Sequence, residues 1–283
     1  MNNKRGATTS SAATQYRGQP QFGCGVNEGI QYEVFCGDKF FSVRVIECAS
    51  LKYHSAWMFD REARELLSSF EPLRRSAKSH LDLNGNGVHI EADETGGSVT
   101  LKTSGSGTLA IEFKSPITSS WGIPPGDVAI HQPLLKATVN FSGRTFEGHG
   151  YCKRYWYVKD IDYWNWRFIM GLVERNREPA MVWTAEANFA LEKYDYFKIA
   201  TPDGTIVAAN GTDSHHREAQ AFGILKGVPC EARVRELGRW EKVLRTGATD
   251  TKLSQRFCAL TLVEGGKTHT GHALHEIGAG TAR

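Results

Sequence analysis

Apolar and polar residues alternate with a period of two along most of the chain. From Gly29 onward, Tyr32, Val34, Phe41, Val43 and Val45 recur against polar neighbours, the spacing of strands that turn one face inward. Residues 81–87, 88–92, 96–103 and 108–113 continue as short alternating runs separated by glycine turns and predict a meander. A second series follows over residues 135–141, a Ser142-Gly-Arg turn, residues 145 onward, 164–173, 180–187 and 196–200, and Pro202-Asp-Gly-Thr turns the chain into 206–209. Strands at this spacing predict a barrel or a sandwich. One stretch departs from the pattern. Over residues 54–70, Trp57, Met58, Ala63, Leu66 and Leu67 fall at helical spacing among Asp, Glu and Arg, and Pro72 follows, which predicts one amphipathic helix packed on a sheet. No period of roughly 20–50 residues repeats, so a propeller or solenoid is not expected. The Ser-, Gly- and Pro-rich residues 115–126 mark a boundary near 125, dividing the chain into a disordered tail (1–20), an N-terminal β domain (21–125) and a C-terminal β domain (126–283).

Composition narrows the function classes. With 283 residues, 40% hydrophobic and 23% charged, the chain can bury a core as one large or two modest domains. Its 34 basic and 31 acidic residues leave a net charge of +3, too little for a counterion-release surface, so no nucleic-acid partner is expected. The longest apolar runs, such as residues 257–263, are far below the ~18 residues of a membrane span, and no transmembrane segment is expected. Basic residues at the start are followed by Ala, Thr and Ser rather than an apolar stretch, which reads as the tail of a cytoplasmic protein. Cys24, Cys36, Cys48, Cys152, Cys230 and Cys258 form no C-x-x-C pair and suit reduced, buried thiols. There is no nucleophile elbow, P-loop, dinucleotide fingerprint or H-E-x-x-H motif, and no cofactor is expected.

The densest chemistry lies in residues 146–168, which hold three tryptophans and four tyrosines interleaved with charges. Such side chains give rigid apolar faces with polar handles, able to bind a ring-bearing or polyene ligand and to stabilise a developing cation, although aromatics at period two equally fill a barrel core. The stretch from His131-Gln-Pro-Leu-Leu-Lys through Gly150-Tyr-Cys-Lys-Arg-Tyr-Trp156, with Trp164-Asn-Trp166 after it, resembles the lipocalin-like proteins that include tocopherol cyclase, carotenoid 1,2-hydratase and AttH-type proteins. Tyr151, Trp156, Trp164 and Trp166 match that group's pattern, whereas Lys153 stands in place of its acidic residue and Tyr157 in place of a glycine. The likeness spans about residues 120–210. It implies two lipocalin-like β-barrel or half-barrel domains and, in the enzymatic members, proton-driven hydration, cyclisation or ring formation in a greasy pocket.

At the C-terminus, Thr268-His-Thr-Gly-His-Ala-Leu-His-Glu-Ile-Gly would place His272, His275 and Glu276 on one face of a helix as zinc ligands, with His131 as a further donor. Glycines at both ends favour a last strand instead, with His272, Leu274 and Glu276 on one face and His275 on the other. His131, after an apolar run and before Gln-Pro, fits a proton shuttle at a barrel mouth or a structural histidine, and His215-His216 reads as a polar turn.

These readings converge on an all-β, cofactor-independent cyclase, hydratase or isomerase for a hydrophobic isoprenoid, polyketide or aromatic substrate. His131, Tyr151, Lys153, His272 and Glu276 are its catalytic candidates, and Trp121, Trp156, Tyr163, Trp164 and Trp166 its substrate-binding ones. A non-catalytic carrier, or a zinc-dependent hydrolase or lyase using His131, His272 and Glu276, are the alternatives. A hydrophobic small molecule is the expected partner, and the sequence allows a homodimer.

Overall fold

The computed structural model describes residues 27–48, 52–75, 81–93, 95–105, 107–115, 119–123, 127–157, 163–189, 192–245 and 249–282. They are almost entirely strand. The first sheet takes β1 (Asn27–Cys36), β2 (Lys39–Cys48), β3 (Lys52–Asp60), β4 (Glu62–Ser69), β5 (Arg74–Arg75), β6 (Leu81–Gly85), β7 (Val88–Ala92), β8 (Gly96–Lys102), β9 (Thr108–Lys114), β10 (Ser119–Ile123), β11 (Asp127–Phe141) and β12 (Arg144–Tyr157). The second takes β13 (Tyr163–Arg175), β14 (Glu178–Phe189), β15 (Glu192–Ala200), β16 (Ile206–Asn210), β17 (Ser214–Arg217), β18 (Gln220–Leu225), β19 (Val228–Arg245), β20 (Thr249–Glu264) and β21 (Lys267–Ala282).

Both sheets are antiparallel meanders with one long-range pairing each: β1 lies between β2 and β12, and β13 lies between β14 and β21. The first and last strands of each unit are thereby hydrogen-bonded, which curls the sheet around its own interior. The second sheet nearly closes, since β16 lies against β18 and a 3-10 turn (Gly211–Asp213) links its two edge strands. The first is a half-barrel that ends at β4 and β5.

Three apolar cores follow from strand alternation, because successive side chains point to opposite faces. Ile30, Tyr32 and Val34 of β1 with Phe41, Val43 and Val45 of β2 fill the first barrel. Ile169, Val182, Phe197, Leu260 and Ala273 fill the second. Over β1, β2 and β3 the opposite face is buried as well. Phe35, Phe40, Trp57, Phe59 and Tyr151 of the first sheet pack on Phe168, Met170, Trp183, Phe257 and Leu274 of the second, forming a third core in the seam between the sheets.

The helix expected over residues 54–70 is absent. Those residues form β3 and β4, joined at Arg61. Residues 53–59 are buried on both faces, Ala56 and Met58 toward the first barrel and Tyr53, Trp57 and Phe59 toward the seam. A strand buried on both faces loses its alternation, and a register shift between Ala56 and Trp57 displaces what remains. The change of sheet falls between Tyr157 and Tyr163, whereas the boundary expected near residue 125 lies between β10 and β11, which pair within the first sheet. The Ser-, Gly- and Pro-rich stretch leads into β11, the antiparallel partner of β10. Cys36, Cys152, Cys230 and Cys258 are buried and free.

Arg61 has φ of +70° in the exposed β3–β4 turn, a conformation that costs a non-glycine residue about 1 kcal/mol. Arg61→Gly is expected to raise stability by up to about 1 kcal/mol, read as a higher denaturant midpoint at unchanged slope.

Candidate functional site

Register places two rows of side chains on each side of the seam. In the first sheet, Ser55, Arg44, Gln31, Lys153 and His131 stand opposite one another across β3, β2, β1, β12 and β11. Trp57, Ser42, Glu33 and Tyr151 form the next row. In the second sheet, Gln255, Glu276, Phe168, Ala185 and Tyr196 make one row, and Phe257, Leu274, Met170, Trp183 and Lys198 the next. The polar members of all four rows are held inside an otherwise aromatic core.

Their centre is the Glu276 carboxylate, 1% exposed. It pairs with the Arg44 guanidinium across the seam. Gln31 Nε2 and Gln255 Nε2 each donate to its Oε2 at 2.7 Å, and Trp166 Nε1 donates to its Oε1 at 2.8 Å. Gln255 Oε1 accepts from Trp57 Nε1 at 2.5 Å and from Ser42 Oγ at 3.4 Å, tying the indole to the network. Burial opposes ionisation of Glu276, but the Arg44 charge and hydrogen bond, the Gln255 amide and Lys153 outweigh it and hold the pKa at about 2.

Glu33 has the opposite fate. Its Oε1 accepts from Gln31 Nε2 at 2.6 Å and Ser42 Oγ at 3.1 Å, while Oε2 has no hydrogen-bond partner among the described residues. Burial raises its pKa well above the ordinary range, aided by the negative charge of Glu276 and only partly offset by the Gln31 amide, Arg44 and Ser42. One carboxyl is therefore an ion and its neighbour a neutral acid, linked through the single amide of Gln31.

A second polar group lies beside the first. The Tyr151 hydroxyl and His131 Nδ1 share a hydrogen bond, and the His131 ring stacks on the Trp183 indole at 6.2 Å and 15°. Burial, then the charges of Lys153 and Lys198, push the imidazole pKa far down, and burial pushes the phenol up, so both are neutral. Lys153 Nζ stands 4.1 Å from the centre of the Phe168 ring. Burial lowers its pKa to about 8, Glu276 partly restoring it.

Of the sequence candidates, His131, Tyr151, Lys153, Trp166 and Glu276 come together in the seam. His272 shares the Glu276 face of β21 but stacks on Phe257 at 5.1 Å, half-buried, with Asp38 as its charged neighbour. His275 points into the second barrel, near Arg256 and Arg167, and burial takes its pKa to about 4. Among the described residues no three His, Cys, Asp or Glu side chains are arranged to hold a metal ion, so the zinc set drawn from His131, His272 and Glu276 is not assembled. Trp121, Trp156, Tyr163 and Trp164 lie on β10, β12 and β13, and their side chains fall outside the described residues. Gln31, Glu33, Ser42, Arg44, Gln255 and Lys198 were not singled out from the sequence. Their signal is a polar residue facing the same way as Phe35, Phe40 or Phe257 on the same strand or, for Lys198, as Tyr196.

The fold has known counterparts. A protein described as AttH (NE1406) from Nitrosomonas europaea superposes with a TM-score of 0.65 at 12% identity, covering 95% of this chain and 97% of that one. CghA in complex with Sch210972 gives 0.63 at 12% identity over 91% and 88%. Kievitone hydratase from Nectria haematococca gives 0.59 at 10% identity over 89% and 88%. No family model and no curated protein sequence matches the chain. The chain therefore has the lipocalin-like fold shared by these proteins, in agreement with the resemblance seen in residues 120–210.

Removing Arg44 leaves Glu276 buried without its cation. Arg44→Met is expected to cost about 3–5 kcal/mol in chemical denaturation, and Arg44→Met with Glu276→Gln to recover much of it. Because the folded pKa of Glu276 lies below the unfolded value, its stabilisation is complete above about pH 4.5 and is lost as pH falls toward 2, a dependence the Glu276→Gln variant should lack.

Proposed function

We propose that the seam is the active site of a hydratase- or cyclase-type enzyme that works by proton transfer on an apolar substrate. The observation that carries this is the Glu33–Glu276 pair: two buried carboxyls, joined through Gln31, whose pKa values are driven apart. Such a separation assigns roles. A neutral carboxylic acid in an apolar site is a general acid, and the fixed carboxylate is a negative charge beside which a cation can form.

In the proposed step, Glu33 Oε2 gives its proton to an alkene carbon or oxygen of the substrate. Positive charge develops next to Glu276 and the faces of Trp57, Trp166 and Phe168, where carboxylate and aromatic quadrupoles stabilise it. Water, or an oxygen of the substrate itself, then bonds to the cationic carbon and returns a proton to the Glu33 carboxylate, which lies beside a second negative charge and is the stronger base. Hydration and cyclisation differ only in which oxygen closes the cation. The neutral Tyr151–His131 pair, opposite Glu33 in the ladder, orients a carbonyl or hydroxyl oxygen, and Lys153 offers positive charge to an enolate or phenolate. The aromatic walls suit an isoprenoid, polyketide or aromatic body. The name of kievitone hydratase, and the small molecule Sch210972 held by CghA, support a reading of this kind.

The test is incubation with prenylated phenols and polyenes in deuterated water, followed by mass spectrometry. Gain of water, or an isomer carrying deuterium at carbon, is expected; compounds that bind but return unlabelled and intact would overturn the proposal in favour of a carrier. Glu33→Gln should lower turnover on the order of a hundredfold or more, with the fold kept. The sign of the pH effect is fixed. Activity needs protonated Glu33 and falls as pH rises through its raised pKa. Stability also falls across that window, because the unfolded chain releases a proton that the folded one keeps, and Glu33→Gln should remove this slope in pH-dependent melting.

A further inference from the structure

The proton-transfer reading gives no task to Lys198. This side chain, 4% exposed, is carried by β15 into the seam, opposite Trp183 in the ladder. Its Nζ lies 4.3 Å from the centre of the Tyr196 ring and 6.0 Å from that of Trp183. The same indole carries the stacked His131 ring and, at 6.3 Å, the Tyr151 ring. A lysine amine, a neutral imidazole and a phenol are thus gathered around one tryptophan, with Met170 and Leu274 completing the apolar row.

We propose that Lys198 is a nucleophile that takes up the aldehyde or ketone group of an apolar, conjugated carbonyl compound as an imine. The proposal rests on the reading of the seam as the substrate site and adds the chemical class of the substrate. The Nζ lone pair attacks the carbonyl carbon, forming the C–N bond while the C=O π electrons move to oxygen. One proton passes from nitrogen to that oxygen, a transfer for which the Tyr151–His131 pair is at hand. A second proton leaves nitrogen as the C–O bond breaks, so that one water departs and C=N remains. Amine and carbonyl become imine and water with no change in oxidation state. A protonated imine withdraws electrons from a conjugated double bond, which opens its far carbon to water or to ring closure, and hydrolysis restores the amine.

The protonation state agrees with this geometry. Burial brings the Lys198 pKa down to about 6, and among the described residues the titratable groups His131 and Tyr196 lie near it. At pH 7 most of the amine is neutral, whereas roughly one exposed lysine in a few thousand is.

The test treats the full-length protein with 2-naphthaldehyde and sodium cyanoborohydride at pH 7 and maps the reduced adduct by peptide mass spectrometry. Lys198 is expected to react on the order of tenfold faster, or more, than the exposed Lys226 and Lys267. Lys198→Met and Lys198→Arg, each checked for folding by circular dichroism, should lose that adduct. Labelling spread evenly over exposed lysines, or absent, overturns the proposal. 2-Naphthalenemethanol, which has the ring system but no carbonyl, separates the two readings. If it quenches tryptophan fluorescence while the aldehyde leaves Lys198 unmodified, the imine is removed and the seam stands as a binding site. If neither compound acts, both readings fall.

Discussion

The molecule is organised around one ion pair, Arg44 with Glu276, that joins two sheets through their buried faces. An isolated charge in such a place costs several kcal/mol, and a pair offsets that cost only when its remaining donors and acceptors are also met. The seam meets them. Gln31, Gln255 and Trp166 complete the carboxylate, and Gln255 in turn takes the Trp57 proton, so the partners of Glu276 come from β1, β2, β13 and β20. The register of both sheets is set against each other by this requirement. Sliding either strand pair by one residue would turn Arg44 or Glu276 into a barrel interior and leave the other charge unpaired.

The same arrangement separates the titration of the two carboxyls. Glu33 and Glu276 share the Gln31 amide and the same low-dielectric surroundings, but among the described residues only Glu276 has a guanidinium within contact distance. With a single cation at contact, the first carboxylate takes the pairing and the second pays for burial in full, so it keeps its proton. The acid that a hydration or cyclisation needs is therefore a by-product of the pairing that holds the sheets together. A stabilising interaction and a reactive group are here two consequences of one charge imbalance.

How much of this was legible in the sequence depends on which face a residue occupies. The barrel interiors could be read directly, because Tyr32, Val34, Val43 and Val45 alternate as an inward face should. The same alternation concealed the site. Gln31, Glu33, Ser42 and Arg44 fill the positions between them, and a polar residue at every second position ordinarily means solvent. Only the second sheet, distant in sequence, makes that face an interior. Residues 53–59 misled in the converse way: apolar on both faces, they show no period of two, and with Leu66 and Leu67 after them they mimic a helix. Glu276, Tyr151, Lys153 and Trp166 were found because an aromatic-rich stretch and a His-rich last strand are unusual in any register, His131 because it stands between an apolar run and Gln-Pro, and the family resemblance added weight to Tyr151 and Trp166.

Among the described residues, the strongly ionisable side chains of Glu33, Arg44, Lys153, Lys198 and Glu276 meet in this seam. The rule that sorts them is the cost of burial against the nearness of an opposite charge. Arg44 and Glu276 satisfy each other and stay ionised. Among the described residues Glu33 has no cation at contact, and burial favours its neutral acid; burial likewise favours the neutral amine of Lys198. Lys153 sits between these limits, half-buried, attracted by Glu276 and resting on the Phe168 face, and its pKa near 8 leaves it charged at neutral pH.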